Sequence, residues 1–394
     1  MIQSLKKIKI KNIYILVSFL LLMISDLFNI TALSFIDEFI CIINILLIVF
    51  TLILHRKKSL CFQILFYLII LSCIGLLSNF VNSYQKNILY IFEDLFLFIK
   101  PYTYLMFAID FVRKDNSNFF IKNISFVAKF MLIIIFVFGT INQIHNIGMT
   151  DFNGGYKFFA YFGGTMVYWV ILLLSILMIN RNKKFYFYWA ISFFTILLTT
   201  SGLGKLGIIL ILLIYVFFNH KKINFLYFIP IIIVGFLIST NEITSYLLNN
   251  TSPRFILIQY GFITANNCFP LGSGFGTYAS SIAANHYSEL YQIYGFNYIW
   301  GLSKDYGAFL MDTYYPMIIA QIGYFGLVVF LLMLIYILNH YILNLTKCAR
   351  NASIAMFIIW LIAGIGFGIG STWGCAIFFC IGLIYKNVLI TQGE

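Results

Sequence analysis

Of 394 residues, 62% are hydrophobic and 10% are charged, and the formal net charge is +12. Soluble domains carry about 25% charged and about 45–50% apolar residues, so a soluble globular protein is excluded. The cation surplus does not indicate nucleic acid. Most Lys and Arg lie in short clusters between apolar runs, a distribution that reports membrane topology.

In chain order, apolar runs fall near 12–32, 36–54, 60–80, 88–108, 124–143, 161–180, 185–201, 204–219, 223–240, 314–338, 352–370 and 372–390. Most approach or exceed the roughly 18–20 residues that carry an α-helix across a bilayer. They are continuously apolar and do not alternate at period two, so helices are expected and a barrel is not. The expectation is an all-α polytopic membrane protein of about twelve spans, residues 1–394 forming one integral domain. Lys6, Lys7, Lys9 and Lys11 precede the first run, which has no small-residue cleavage site and reads as a signal anchor.

Basic clusters follow every second boundary: Arg56-Lys57-Lys58, Arg113-Lys114 with Lys122 and Lys129, Arg181 with Lys183-Lys184, Lys221-Lys222, Lys347 with Arg350, and Lys386. That bias places both termini in the cytoplasm and the long segment 241–313, between spans nine and ten, outside. Gly364 to Gly370, with glycine at every second position, makes a weak helix interior, so the last pair of spans is the least secure in number. Between spans seven and eight, Thr200-Ser-Gly-Leu-Gly-Lys205 leaves room only for a tight hairpin.

Apart from Lys129, Lys205 and Lys386 near run ends, charged residues inside the runs are few: Asp26, Asp37-Glu38, Glu93-Asp94 and Lys100. Each costs about 2.5–3.5 kcal/mol at a helix centre on insertion scales and needs a partner or a cavity. Lys100 lies six to seven residues beyond Glu93-Asp94, nearly two turns away, so its partner belongs on another helix or it lines a substrate path.

The segment 241–313 carries the remaining chemistry. Ser252-Pro253-Arg254 reads as a helix start, with Ser252 as N-cap and Pro253 at the first helical position. Arg254 then stands at a positive helix end that suits an anion, or reaches lipid headgroups as an interfacial residue. Gly272, Gly274 and Gly276 in Pro270-Leu-Gly-Ser-Gly-Phe-Gly-Thr-Tyr278 provide turn geometry or expose N–H groups to phosphate. Tyr278, Tyr287, Tyr291, Tyr294, Tyr298, Trp300, Tyr306, Tyr314 and Tyr315 offer faces to sugars, or form an interfacial belt. His286, the loop's only histidine, is a candidate base or sugar contact. The seven cysteines form no metal-binding or disulfide pattern, and the outer acidic residues do not cluster, so no metal or soluble cofactor is expected.

The Gly-rich turn after Arg254, and the run Asp312-Thr-Tyr-Tyr-Pro-Met-Ile-Ile-Ala-Gln-Ile-Gly-Tyr-Phe-Gly-Leu327 leading into a span, resemble the O-antigen ligase/polymerase superfamily. Asp37-Glu38 and Glu93-Asp-Leu-Phe-Leu-Phe-Ile-Lys100-Pro101 resemble the Wzy-type polysaccharide polymerases within it. The resemblance implies a metal-independent glycosyltransferase of the bacterial cytoplasmic membrane. Such an enzyme joins polyprenyl-diphosphate-linked oligosaccharides on the outer face, with a chain-length-regulating co-polymerase as a further partner and no nucleic acid. It implies a diphosphate role for Arg254, with Lys100 as a further substrate-side cation. Lys205 stands near where the superfamily has Ser-Arg, without the bidentate fork of an Arg. Asp312-Thr313 stands where the ligases carry a His-Asn pair, which leaves Asp312 as the acceptor-side candidate or as a structural carboxylate. A ligase of the same superfamily and a lipid-linked oligosaccharide flippase are the competing readings; the absent His-Asn pair and the long outer loop count against them respectively.

Overall fold

The computed structural model describes residues 2–55, 61–112, 114–151, 154–179, 184–217, 249–366 and 370–388. The expected span at 223–240, the start of the 241–313 segment, Lys221-Lys222, Arg113 and Arg181 lie outside the described residues.

Helices follow the apolar runs. They are α1 (Ile2–Leu27), α2 (Ile36–His55), α3 (Phe62–Asn82), α4 (Ile88–Asp110), α5 (Lys114–Ile144), α6 (Gly163–Ile179), α7 (Phe185–Leu197) and α8 (Gly202–Phe217). After α9 (Pro253–Asn267), α10 (Ser281–Asn285) and α11 (Glu289–Ile293) come α12 (Tyr314–Ile337), α13 (Lys347–Ala363) and α14 (Thr372–Val388). The described residues contain no strand, only one antiparallel bridge between Thr150 and Tyr156. Among the described residues, four helical stretches are long and apolar enough to cross a membrane: Thr31–Phe50, Phe62–Asn82, Asn116–Ile144 and Tyr314–Ile342. Shorter apolar helices include Gly163–Ile179, Phe185–Leu197 and Gly202–Val216. The protein is therefore a helical membrane protein.

Burial sorts the helices into centre and rim. All of α6 from Thr165 to Met178 is buried, as expected of a helix that is apolar all round. It packs against α1, α5, α7, α8, α13 and α14. From Phe98 onward, α4 is also largely enclosed, packed along α14. The rim helices α2 and α3 turn large apolar side chains outward, among them Phe39, Leu46, Phe66 and Phe80.

Between 249 and 313 the chain forms a compact unit on one end of the bundle. Helix α9 begins as its sequence dictates: Ser252 caps it by accepting from the Phe255 N–H, and Pro253 takes the first helical position. The unit has its own small core of Leu257, Tyr278, Tyr287, Leu290, Tyr291 and Phe296. Tyr278 donates its hydroxyl to the Leu257 carbonyl at 2.7 Å, and Tyr291 accepts from the Ala279 N–H at 2.7 Å.

Candidate functional site

The Gly-rich turn does not lie on the surface. It threads between α3, α4 and a break in α12. Gly323 adopts φ +65° and ψ −170°, which interrupts the helix. The Ala320 and Gln321 carbonyls instead accept from Ser273 N–H and Gly274 N–H, each at 2.8 Å. On the far side of the break, Phe325 N–H donates to the Pro270 carbonyl. The turn thus completes the hydrogen bonding that the helix has lost. Irregular backbone among membrane-spanning helices is tolerated only where protein or a water-filled cavity satisfies it.

Side chains lock the splice. Asn79 of α3 donates to the Phe275 carbonyl at 2.9 Å and accepts from Phe275 N–H at 2.7 Å. Asn82 donates to the Gly272 carbonyl, and Ser78 to that of Leu271. One oxygen of Asp94, from α4, accepts from Gly276 N–H at 2.7 Å and from the Gln321 amide at 2.9 Å. That amide also donates to the Tyr278 carbonyl at 3.0 Å. Three of the expected substrate contacts are therefore engaged otherwise. The Gly274 and Gly276 N–H groups are bonded within the protein, and the Tyr278 ring is core.

Arg254 and Asp312 meet. The guanidinium Nη2 donates to Asp312 Oδ2 at 2.6 Å, with the side chains 18% and 22% exposed. Arg254 also lies over the Phe309 ring, 5.4 Å from its centroid. Each stands at a helix start: Arg254 in the first turn of α9, Asp312 one residue before the N-cap of α12. A carboxylate suits that end of a helix, whereas a cation there opposes the helix dipole. Helix stability therefore does not account for Arg254. Burial raises the Asp312 carboxyl from 3.8 to about 6, with the neighbouring guanidinium pulling the other way.

Lys100 is buried and answered by two carboxylates of α2, Asp37 Oδ2 at 2.8 Å and Glu38 Oε1 at 2.9 Å. Thr372, at the start of α14, donates to Asp37 at 3.2 Å, and Tyr104 donates to the Asp37 carbonyl. The lysine charge is thus met inside the protein. Asp26 likewise accepts from the Trp169 indole N–H at 2.7 Å.

Neighbours of Asp312, Lys205 and Lys100 touch the described ends of the connection between α13 and α14. Tyr314 N–H donates to the Gly364 carbonyl, which brings the Asp312 end of α12 to it. Leu203, two residues before Lys205, abuts Gly366. At its other end Thr372 reaches Asp37, the partner of Lys100. Lys205 itself is half-buried in the first turn of α8. Tyr314 is core, with its ring against Tyr315, Phe330 and Trp360, and Tyr315 donates to the Leu361 carbonyl. His286 stands apart from this group, exposed and stacked on Tyr90 of α4 with ring centroids 3.6 Å apart. Trp300 packs on Phe309, the ring that Arg254 lies over, and is 70% exposed, and Tyr298, two residues earlier in the chain, is 95% exposed.

Sequence reasoning missed the anchoring roles of Asn79, Asp94 and Gln321. Asp94 and Gln321 did carry a signal, one as a charge inside a span and the other at the head of Gln321-Ile-Gly323. Among the described residues no three His, Cys, Asp or Glu side chains gather as metal ligands. No family model and no curated protein matches the chain.

Proposed function

We propose that the protein is a Wzy-type polysaccharide polymerase, which transfers a growing glycan from its polyprenyl diphosphate carrier to a sugar hydroxyl of the next lipid-linked unit. Both termini are cytoplasmic in this reading, and the unit at 249–313 faces outward. The observation that carries it is the Arg254–Asp312 pair, half-buried at the starts of two helices. A guanidinium in that setting suits the charge that develops on a departing diphosphate. A carboxylate held near 6 suits removal of a proton from the attacking hydroxyl.

In the proposed step the acceptor hydroxyl oxygen bonds to the anomeric carbon of the growing glycan. The bond from that carbon to the diphosphate oxygen breaks, and the electron pair leaves with polyprenyl diphosphate. The hydroxyl proton passes to Asp312. Binding of the donor draws Arg254 onto the diphosphate and away from Asp312. The carboxylate then loses the cation that holds its proton affinity down, so the base strengthens when substrate arrives. Trp300 and Tyr298 supply exposed ring faces for the sugars.

Purified protein incubated with lipid-linked repeat units is expected to give a ladder of longer glycans. Transfer of a single glycan to a non-identical acceptor would instead make it a ligase, and no transfer would remove the reading. The pH dependence follows from Asp312. Its base form grows as pH rises through about 6, so kcat/KM for ladder formation should climb below that value and level above it. The break in kcat should lie higher, because the bound diphosphate occupies Arg254. Asp312→Asn should lower the rate about a hundredfold and flatten the profile. An unchanged profile in that variant would exclude Asp312 as the base.

A further inference from the structure

At the end of the bundle opposite the 249–313 unit, a cleft of about 490 Å³ opens between α5 and the ends of α6 and α14. That size falls within the roughly 300–1,000 Å³ of small-ligand sites. Its α5 wall is a polar stripe at spacings of four, three and four: Asn118, Lys122, Ser125 and Lys129. Those intervals put all of them on one helix face. Asn387 of α14 adds an amide from across the cleft. Neither lysine forms an ion pair among the described residues. Lys122 is exposed and Lys129 half-buried, seven residues deeper along a helix of transmembrane length.

The positive bias of one membrane face accounts for a cation near the helix end but not for one seven residues deeper. Lys129 follows Phe126 and precedes a long apolar stretch, where a cation costs free energy unless an anion or water meets it. Beside the polar stripe runs a second one, with Phe126 73% exposed and Phe130 59% exposed and Val137 continuing outward. A ligand that fits both stripes has an anionic head and an apolar tail. We infer that this cleft binds the phosphodiester headgroup of an anionic phospholipid. The two ammonium groups hold the phosphate, and an acyl chain lies along Phe126 and Phe130. A free phosphate ion would use the lysines but leave the aromatic stripe without a role.

The test is native mass spectrometry of the full-length protein released from mixed micelles, with phosphatidylglycerol and phosphatidylcholine supplied in equal amounts. Wild type should retain phosphatidylglycerol preferentially. Lys122→Gln/Lys129→Gln should lose that preference by about thirtyfold, the order expected of two cations at an anionic lipid surface. Lys122→Arg/Lys129→Arg should keep it. Equal retention of the two lipids by wild type overturns the inference, without any variant having to fold. Unchanged preference in the double glutamine variant overturns it as well. Displacement of the retained lipid by millimolar inorganic phosphate would make the cleft a free-anion site and overturn the lipid assignment.

Discussion

Arg254→Ala is expected to abolish the glycan ladder, with a loss of about 10³ in rate, while the protein stays folded in the membrane. The magnitude is that of removing a single preorganised group from a developing anion in a water-poor site. Arg254 contributes little to its own helix, since a cation in the first turn opposes the dipole. Its partner can also tolerate the loss. Burial has already raised Asp312 to about 6, and without the guanidinium its proton affinity rises further, so the carboxyl becomes neutral and does not remain a buried bare charge. Activity and stability should therefore separate cleanly. Arg254→Lys should recover only part of the rate, because an ammonium is a point charge that lacks the bidentate fork. Near-normal ladder from Arg254→Ala would remove this residue from the mechanism. A collapse of the membrane-embedded protein would show that the ion pair is structural.

The described helices are legible because each is a local matter of hydropathy, and the Ser252 cap because it is local chemistry. Ser252-Pro253 announces α9 from three residues, and the structure forms that cap with Ser252 and Pro253 in those positions. What could not be read is what depends on pairs distant in sequence. Lys100 meets carboxylates more than sixty positions away, where hydropathy gives only the cost of an unpaired charge and not the partner's name. The Gly-rich turn shows the same limit more sharply. Three glycines in seven residues announce a special backbone path, and either an exposed phosphate cradle or an internal splice needs one. Only the break at Gly323, about fifty residues later, decides between them, because it leaves carbonyls that the turn must satisfy. The meeting of Arg254 with Asp312 likewise depends on how the 249–313 unit closes on itself. No periodicity encodes that closure.

The splice itself carries the second large expected effect. Gly272 and Gly323 face each other across it, with φ of +83° and +65°. A Cβ on Gly272 would lie 2.4 Å from the Gly323 nitrogen, and one on Gly323 would lie 2.4 Å from the Pro270 carbonyl oxygen. Both obstacles are backbone, so no side chain can swing aside. Gly272→Ala or Gly323→Ala should each destabilise the protein by about 2–5 kcal/mol, summing a left-handed residue with a Cβ and an overpacked contact. Separation of the two segments would also strand the Ala320 and Gln321 carbonyls, at about 1–3 kcal/mol for each buried group left unmet. The loss should start where the turn meets α12. Limited proteolysis ought then to cut within 268–280 long before the bundle yields, and the thermal midpoint should fall by several degrees. Because the same splice fixes Asp94 and Gln321 around Gly276 and Tyr278, the 249–313 unit that carries Arg254 and Asp312 loses its seat on the bundle. Activity and protease resistance should therefore fall together in these variants, in contrast to Arg254→Ala, where only activity falls. A Gly323→Ala protein as protease-resistant as wild type would mean that the turn does not depend on the break for its seat.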